Sequence, residues 1–138
     1  MHSLIGPLTV VCMQAGDAKI LRNTGARVTD DVLRTLVLAS YLLGVNRMLA
    51  MPHTDCRMAG ADEATVHSTI EEQFSVNTRS LDFRTFLDQR ATLATDVTRV
   101  RSYPLLQKGV SVAGAMFDVS TGQLERVDCS EPPKRLTQ

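Results

Sequence analysis

The chain has 138 residues, a length that suits one domain with a hydrophobic core of useful size. Its 15 basic residues balance its 15 acidic residues, and Trp is absent. This composition argues against a basic nucleic-acid surface and against an aromatic platform for single strands. The first residues lack the basic start of a signal peptide, and no apolar run reaches the length of a membrane span. We expect one domain over residues 1–129 and a disordered tail over 130–138.

The three cysteines, Cys12, Cys56 and Cys129, are too few and too scattered for a disulfide framework. A cytoplasmic location is therefore expected, because in a reducing compartment thiols more often bind metals or take part in chemistry. Cys129 lies in the polar C-terminal region and is predicted to be a spare thiol.

The first third of the chain contains two candidate strands and a turn. Residues 8–13 are apolar and rich in β-branched side chains, which predicts a buried strand, and residues 18–22 are a second strand candidate. Residues 23–26 read as the turn that follows.

The strongest helix signal begins at Thr29, whose side chain can cap the free amides of a first helical turn. Two aspartates follow it, and carboxylates favour the positive end of a helix dipole. Apolar residues then recur at helical spacing as far as residue 43, and Gly44 ends the run. Residues 47–51 are short and nearly all apolar, which predicts a central strand.

Four more elements are predicted in the second half of the chain. They are helices over 62–74 and 81–101 and strands over 110–119 and 124–127, the two strands being joined into a hairpin by a turn. His67 lies on the first of these helices and is expected to be a solvated surface residue. Strands that alternate with helices predict an α/β domain, with a mostly parallel central sheet flanked by helices.

His53 and Cys56 follow the predicted central strand, and ligands of parallel sheets bind beyond the carboxyl ends of strands. A His and a Cys three residues apart can bring nitrogen and sulfur to one metal, and that pair of donors suits zinc. Two donors are half of a site. A histidine near a core cysteine is the ordinary alternative for such a pair.

Several motifs in this order resemble the β-class carbonic anhydrases, and the small bacterial branch most. The residues that carry the resemblance are Arg22-Asn23-Thr24-Gly25, Val28-Thr29-Asp30-Asp31-Val32-Leu33-Arg34, Leu42-Leu43-Gly44, His53-Thr54-Asp55-Cys56 and the late segment from Gly114 to Leu124. The resemblance runs from about residue 16 to residue 127 and is weak between 59 and 79.

The resemblance implies a β-carbonic-anhydrase-like fold assembled as a homodimer or larger homo-oligomer. It implies a zinc ion held by two cysteines and one histidine, with His53 and Cys56 as two of the three ligands. The implied reaction is the reversible hydration of carbon dioxide to bicarbonate. Zinc lowers the pKa of its bound water from about 15.7 to roughly 7, so that hydroxide is present at neutral pH.

The family's first zinc ligand lies in a Cys-x-Asp-x-Arg motif at the end of the first strand, and here that region differs. In one alignment Cys12 is this ligand, Gln14 stands at the Asp position, the Arg is missing, and the crossover helix is deleted. In the other, the whole motif would lie upstream of Met1. Cys12 is thus either the third ligand or a small core residue of a strand.

In the family the missing Asp and Arg orient the nucleophile, and Asp17 is the candidate substitute. Arg57 follows Cys56 where the family usually has Gly, and this cation would either stabilise an anion beside the site or block the pocket. Two other functions stay open for the same scaffold. One is hydrolysis of carbon disulfide or carbonyl sulfide. The other is a non-catalytic, structural or partner-binding member of the family.

Overall fold

The structure, a computed structural model, describes residues 4–130. In chain order its elements are α1 (Pro7–Val10), a single 3₁₀ turn (Thr24–Ala26), α2 (Asp30–Leu42), β1 (Arg47–Ala50), α3 (Glu63–Phe74), α4 (Gln89–Arg101), β2 (Ser111–Phe117) and β3 (Leu124–Val127). Within these residues, no helix has the length and apolar character needed to span a membrane.

The described strands form one sheet in the order β1-β2-β3. β1 and β2 are parallel, with Arg47 opposite Ser111, and β2 and β3 are antiparallel, with Phe117 opposite Leu124. The predicted α/β class and the C-terminal hairpin are therefore confirmed. β1 is an edge strand of this sheet, because no other described strand lies on its outer side.

The core lies where α4 packs on β2. Val97 of α4 is fully buried, and Leu93 and Val100 beside it are almost as deeply buried. Gly114 allows this close approach, since a Cβ atom there would lie 3.0 Å from Cys129 Sγ and 3.1 Å from both Leu93 Cγ and Val97 Cγ2. The distance between helix and sheet is thus set by the missing side chain at position 114.

The helices α2 and α3 confirm the sequence predictions, and β1 confirms the predicted strand. The prediction that this strand is central is wrong for the described sheet, because β1 lies at its edge. The Thr29 side chain accepts a hydrogen bond from Val32 N at 3.4 Å, which caps α2. Asp62 caps α3 in the same way, because its Oδ2 accepts from Thr65 N at 3.1 Å. Ser75 ends α3 in the left-handed region, with φ 57°.

The prediction of strands over 8–13 and 18–22 is wrong. Pro7 sits at the start of the short helix α1, where its fixed φ and missing N–H suit a first helical turn. The chain then bends, with Cys12 at φ 56°, and Gln14 N donates to Asp17 Oδ2 at 2.9 Å. Residues 18–22 have no regular structure, because no described strand lies beside them to complete backbone pairing.

The predicted helix over 81–101 begins only at Gln89. Arg84 has φ 56°, in the left-handed region, and the amides of Phe83 and Thr85 donate to the Glu63 carboxylate on α3. These amides are therefore bound to a side chain distant in sequence. The helix begins where Asp88 Oδ1 accepts from Ala91 N at 3.0 Å.

Two side chains are buried, although the sequence predicts that His67 is solvated and that Cys129 is a spare thiol in a polar region. His67 is 7% exposed, with Nδ1 2.8 Å from Thr78 Oγ1 and its ring centroid 5.0 Å from that of Phe83. Cys129 is 4% exposed and belongs to the hydrophobic core. The predicted tail lies outside the described residues beyond Ser130, and the single domain over 1–129 stays a prediction.

Candidate metal centre

The chain that follows β1 continues beside β2 as far as Thr54. Phe117 N donates to the carbonyl of the buried Pro52 at 2.9 Å, and Thr54 N donates to the Phe117 carbonyl at 2.8 Å. Val119 N donates to Thr54 Oγ1 at 3.0 Å. His53 is therefore held at the carboxyl end of the parallel strand pair, the edge of the sheet where the sequence predicts it.

The imidazole of His53 is half-buried, and its Nδ1 lies 2.6 Å from the Thr54 carbonyl oxygen. Because a carbonyl oxygen only accepts, this hydrogen bond places the proton on Nδ1 and the lone pair of the neutral ring on Nε2. The His53 carbonyl in turn accepts from Gln89 Nε2 at 2.8 Å. A ring oriented through one nitrogen, with the other carrying the lone pair, is the arrangement of a metal-binding histidine.

Cys56 is also half-buried and begins a tight turn, in which Ala59 N donates to its carbonyl at 2.9 Å. Asp55, just before it, has φ 55°, in the left-handed region. Beyond the turn, Gly60 N donates to the Phe86 carbonyl at 2.8 Å. The loop that carries Cys56 is therefore fixed at its far end by the segment before α4.

A groove of about 1330 Å³ runs between the N-terminal segment and the sheet. His53 lines it from the sheet side, and Asp17, Arg22 and Asn23 line it from the N-terminal segment. Asp17 is exposed, and its carboxylate accepts a hydrogen bond from the backbone N–H of Gln14. The groove gives small solutes access to His53.

Cys12 and Arg57 are exposed. Within residues 4–130, no three His, Cys, Asp or Glu side chains form a group that could hold a metal ion. The structure thus places His53 and Cys56 on one loop, as predicted, and does not bring Cys12 to them as a third donor. The nitrogen and sulfur of the pair suit zinc by their chemistry, but the described residues do not make up a complete three-donor site.

The comparisons with known proteins identify the family. Beta-carbonic anhydrase 1 of Mycobacterium tuberculosis is 30% identical over 115 residues, which are 83% of this chain and 70% of that protein. The chain belongs to the β-carbonic anhydrase family. A solved carbonic anhydrase from Streptococcus mutans has a TM-score of 0.87 and 32% identity, covering 93% of this chain and 77% of that chain.

A carbon disulfide hydrolase from Acidithiobacillus thiooxidans is 27% identical over 126 residues, covering 79% of this chain and 63% of that protein. No model of a protein family matches the chain. The predicted resemblance to β-carbonic anhydrases is confirmed at the level of the family.

The turn over residues 23–26, which is part of the resemblance to β-carbonic anhydrases, is stabilised by hydrogen bonds of the Asn23 side chain. Asn23 Nδ2 donates to the Arg27 carbonyl at 2.7 Å, and Arg27 N donates to Asn23 Oδ1 at 3.0 Å. Gly25 between them has φ 72°, and a Cβ atom there would lie 2.9 Å from Phe86 Cε1. Both the backbone and the contact with Phe86 therefore require glycine at this position.

Two contacts of this β-carbonic anhydrase family member were not predicted from the sequence. The Asp96 carboxylate, on α4, accepts from Arg27 Nε at 2.7 Å and from Val28 N at 3.1 Å, so it anchors the turn to the core. Gln89, in the first turn of the same helix, binds the His53 carbonyl. Neither residue lies in a motif, and both pair with partners at least 36 positions away along the chain.

Proposed function

We propose that this protein catalyses the reversible hydration of carbon dioxide to bicarbonate. The observation that supports it most is the 30% identity to a protein named beta-carbonic anhydrase over 83% of this chain. The position of His53 and Cys56 at the carboxyl end of β1 and β2 agrees with it, since ligands of such sheets bind there.

We infer that zinc is the cofactor and that His53 and Cys56 are two of its ligands. Cys12 is the candidate for the third, and for that role it would have to leave its exposed position in the turn after α1. Asp17 and Arg57 stay candidates for groups beside the reacting molecule.

Stopped-flow hydration of carbon dioxide, with zinc measured on the same purified protein, tests the proposal. We expect a rate above the buffer rate with stoichiometric zinc, and loss of both in His53→Ala and Cys56→Ser. Cys12→Ser identifies the third ligand, because zinc content that this change leaves intact would exclude Cys12. A wild-type rate equal to that of buffer would refute the proposed reaction.

The incomplete donor set favours a second candidate, a non-catalytic family member. Residues 4–130 hold no group of three metal-binding side chains, and Cys12 is exposed. In that case the purified protein would be folded, would contain no stoichiometric zinc and would not hydrate carbon dioxide.

The similarity to a carbon disulfide hydrolase makes carbon disulfide the alternative substrate, with carbonyl sulfide as its close analogue. Release of hydrogen sulfide from either compound, measured beside the hydration rate, distinguishes the two reactions. A hydrolase would release sulfide and leave the hydration rate at that of buffer.

We also propose a homodimer, or a larger homo-oligomer built from such dimers, formed through apolar side chains of α2 and β1. The exposed apolar side chains in this region are Leu38, Tyr41, Leu42, Leu43 and Leu49. Leu42→Asp should convert a dimer to a monomer in analytical ultracentrifugation. Leu105 is also an exposed leucine but lies outside α2 and β1, so Leu105→Asp should leave the dimer intact. A wild-type monomer at all concentrations would refute the proposal.

The three cysteines have free thiols, which supports the proposed cytoplasmic location. Fluorescent tagging of the full chain in its own cells would test it, and an extracellular signal would contradict it.

A further inference from the structure

We propose that Glu63 is a positioning residue for Cys56, acting through the segment 83–86 that its carboxylate binds. The inference rests on the proposed function, because it gives Glu63 a role towards one of the two candidate metal ligands. It concerns a part of the chain where the sequence motifs of the family are weak.

The carboxylate of Glu63 collects three hydrogen bonds from one short segment. Oε1 accepts from Phe83 N at 2.5 Å, and Oε2 accepts from Thr85 N at 3.1 Å and from Thr85 Oγ1 at 3.0 Å. The pKa of Glu63 lies below its usual value, chiefly because the Thr85 amide stabilises the ionised form. At neutral pH the carboxylate is therefore charged and acts as an acceptor for all three donors.

The segment bound by Glu63 pairs directly with the loop that contains Cys56. Phe86 N donates to the Met58 carbonyl at 3.4 Å, and Gly60 N donates to the Phe86 carbonyl at 2.8 Å. Ala59 N, between them, donates to the Cys56 carbonyl. Thr85, which binds Glu63, directly precedes Phe86, which makes this pairing, so a shift of the segment moves the backbone that follows Cys56.

Further contacts keep the segment folded when Glu63 is changed. Phe86 is 6% exposed, and the Arg27 guanidinium carbon lies 5.9 Å from its ring centroid. Phe83 packs against the His67 ring, and Arg27 Nη1 donates to the Arg84 carbonyl at 2.9 Å. Loss of the Glu63 bonds should therefore loosen the segment without unfolding the domain.

A carboxylate in the first turn of a helix also stabilises that helix through its dipole, independently of any effect on Cys56. Two features separate these roles. Asp62 already caps α3. A dipole effect would change the stability of α3 without a specific change in hydrogen exchange at the amides of Phe86 and Gly60.

The experiment measures the alkylation rate of each cysteine with iodoacetamide, by peptide mass spectrometry, on the full metal-free chain. Glu63→Gln keeps the shape and replaces one acceptor oxygen with an amide group. We expect the Cys56 rate to rise about fivefold, which matches the net loss of one ordinary hydrogen bond, with the Cys12 rate unchanged. Hydrogen exchange at the amides of Phe86 and Gly60 should accelerate in parallel.

Glu71→Gln is the matched control, because Glu71 lies on the same helix and pairs with Arg79 at the surface. It should leave the Cys56 rate and both amides unchanged. Thr85→Val removes one donor from the other side of the contact and should raise the Cys56 rate by less than Glu63→Gln does.

An unchanged Cys56 rate in Glu63→Gln would overturn the inference, and so would an equal rise at Cys12 and the buried Cys129, which indicates general destabilisation. The measurement uses metal-free protein, so its outcome does not depend on zinc or on hydration. A wild type without hydration activity refutes the proposed function, whereas only the alkylation and exchange results decide the role of Glu63.

Discussion

The ion pair between Arg27 and Asp96 gives the sharpest prediction about stability. Asp96 accepts from Arg27 Nε at 2.7 Å, from Arg27 Nη2 at 3.3 Å and from Val28 N at 3.1 Å, and the two side chains are 17% and 6% exposed. In Asp96→Ala the guanidinium keeps its bond to the Arg84 carbonyl but loses its counter-charge. The buried Val28 amide loses its acceptor.

Removing one partner of a buried pair costs about 3–5 kcal/mol, and the partial exposure of Arg27 places our expectation near the lower end, at about 3 kcal/mol. Because the chain has no Trp, urea unfolding should be followed by circular dichroism of the helices. A loss of unfolding free energy below about 1 kcal/mol would contradict this prediction, since it would mean that water replaces the carboxylate easily. Glu125→Gln, which breaks the surface pair with Arg90, should change the unfolding free energy much less.

Three further outcomes are expected. Gly114→Ala should destabilise the fold by about 1–3 kcal/mol in thermal unfolding, because its Cβ would press on the α4 side chains; an unchanged melting temperature would mean that α4 moves freely. The folded-state pKa of Glu63 is lowered from 4.5, so its contribution to stability is present above that pH and disappears as the pH falls through the lower folded-state value. The difference in unfolding free energy between wild type and Glu63→Gln should therefore shrink in acid, and a difference that grows there would contradict the sign. Burial raises the pKa of the Cys129 thiol, so at pH 8 Ellman's reagent should modify Cys129 later than Cys12, and simultaneous reaction would contradict this.

The parts of the fold that the sequence predicts correctly are those with local signals. The cap at Thr29 and the apolar spacing after it identify α2, and the turn between two short strand segments over residues 110–127 identifies the hairpin. The position of His53 and Cys56 after one strand is also a local feature, whereas their role as metal ligands stays a prediction. Such features depend on neighbours a few positions away, which a single sequence displays directly.

The errors arise where distant residues decide the local structure. Residues 81–88 have a helical apolar pattern, but Glu63, 20 positions before Phe83, takes an amide that a helix would need. Residues 8–13 have strand composition, but a strand also requires a neighbour for its backbone groups, and none of the described strands provides one. The burial of His67 and Cys129 likewise depends on tertiary packing. The pairing of Arg27 with Asp96, 69 positions apart, has no signal in the sequence.

The outer side of β1 has a consequence for how the protein behaves while it folds. Ser111 N donates to the Asn46 carbonyl. Along β1, every second residue bonds to β2 through its backbone groups, so the N–H and C=O groups of Arg47 and Leu49 point away from β2. Uncovered groups of this kind can template pairing with another chain and so promote aggregation. β1 has only four residues, and one of them carries the Arg47 charge, which makes it a poor template. Shortness and charge at this edge therefore protect the newly made chain against misassembly.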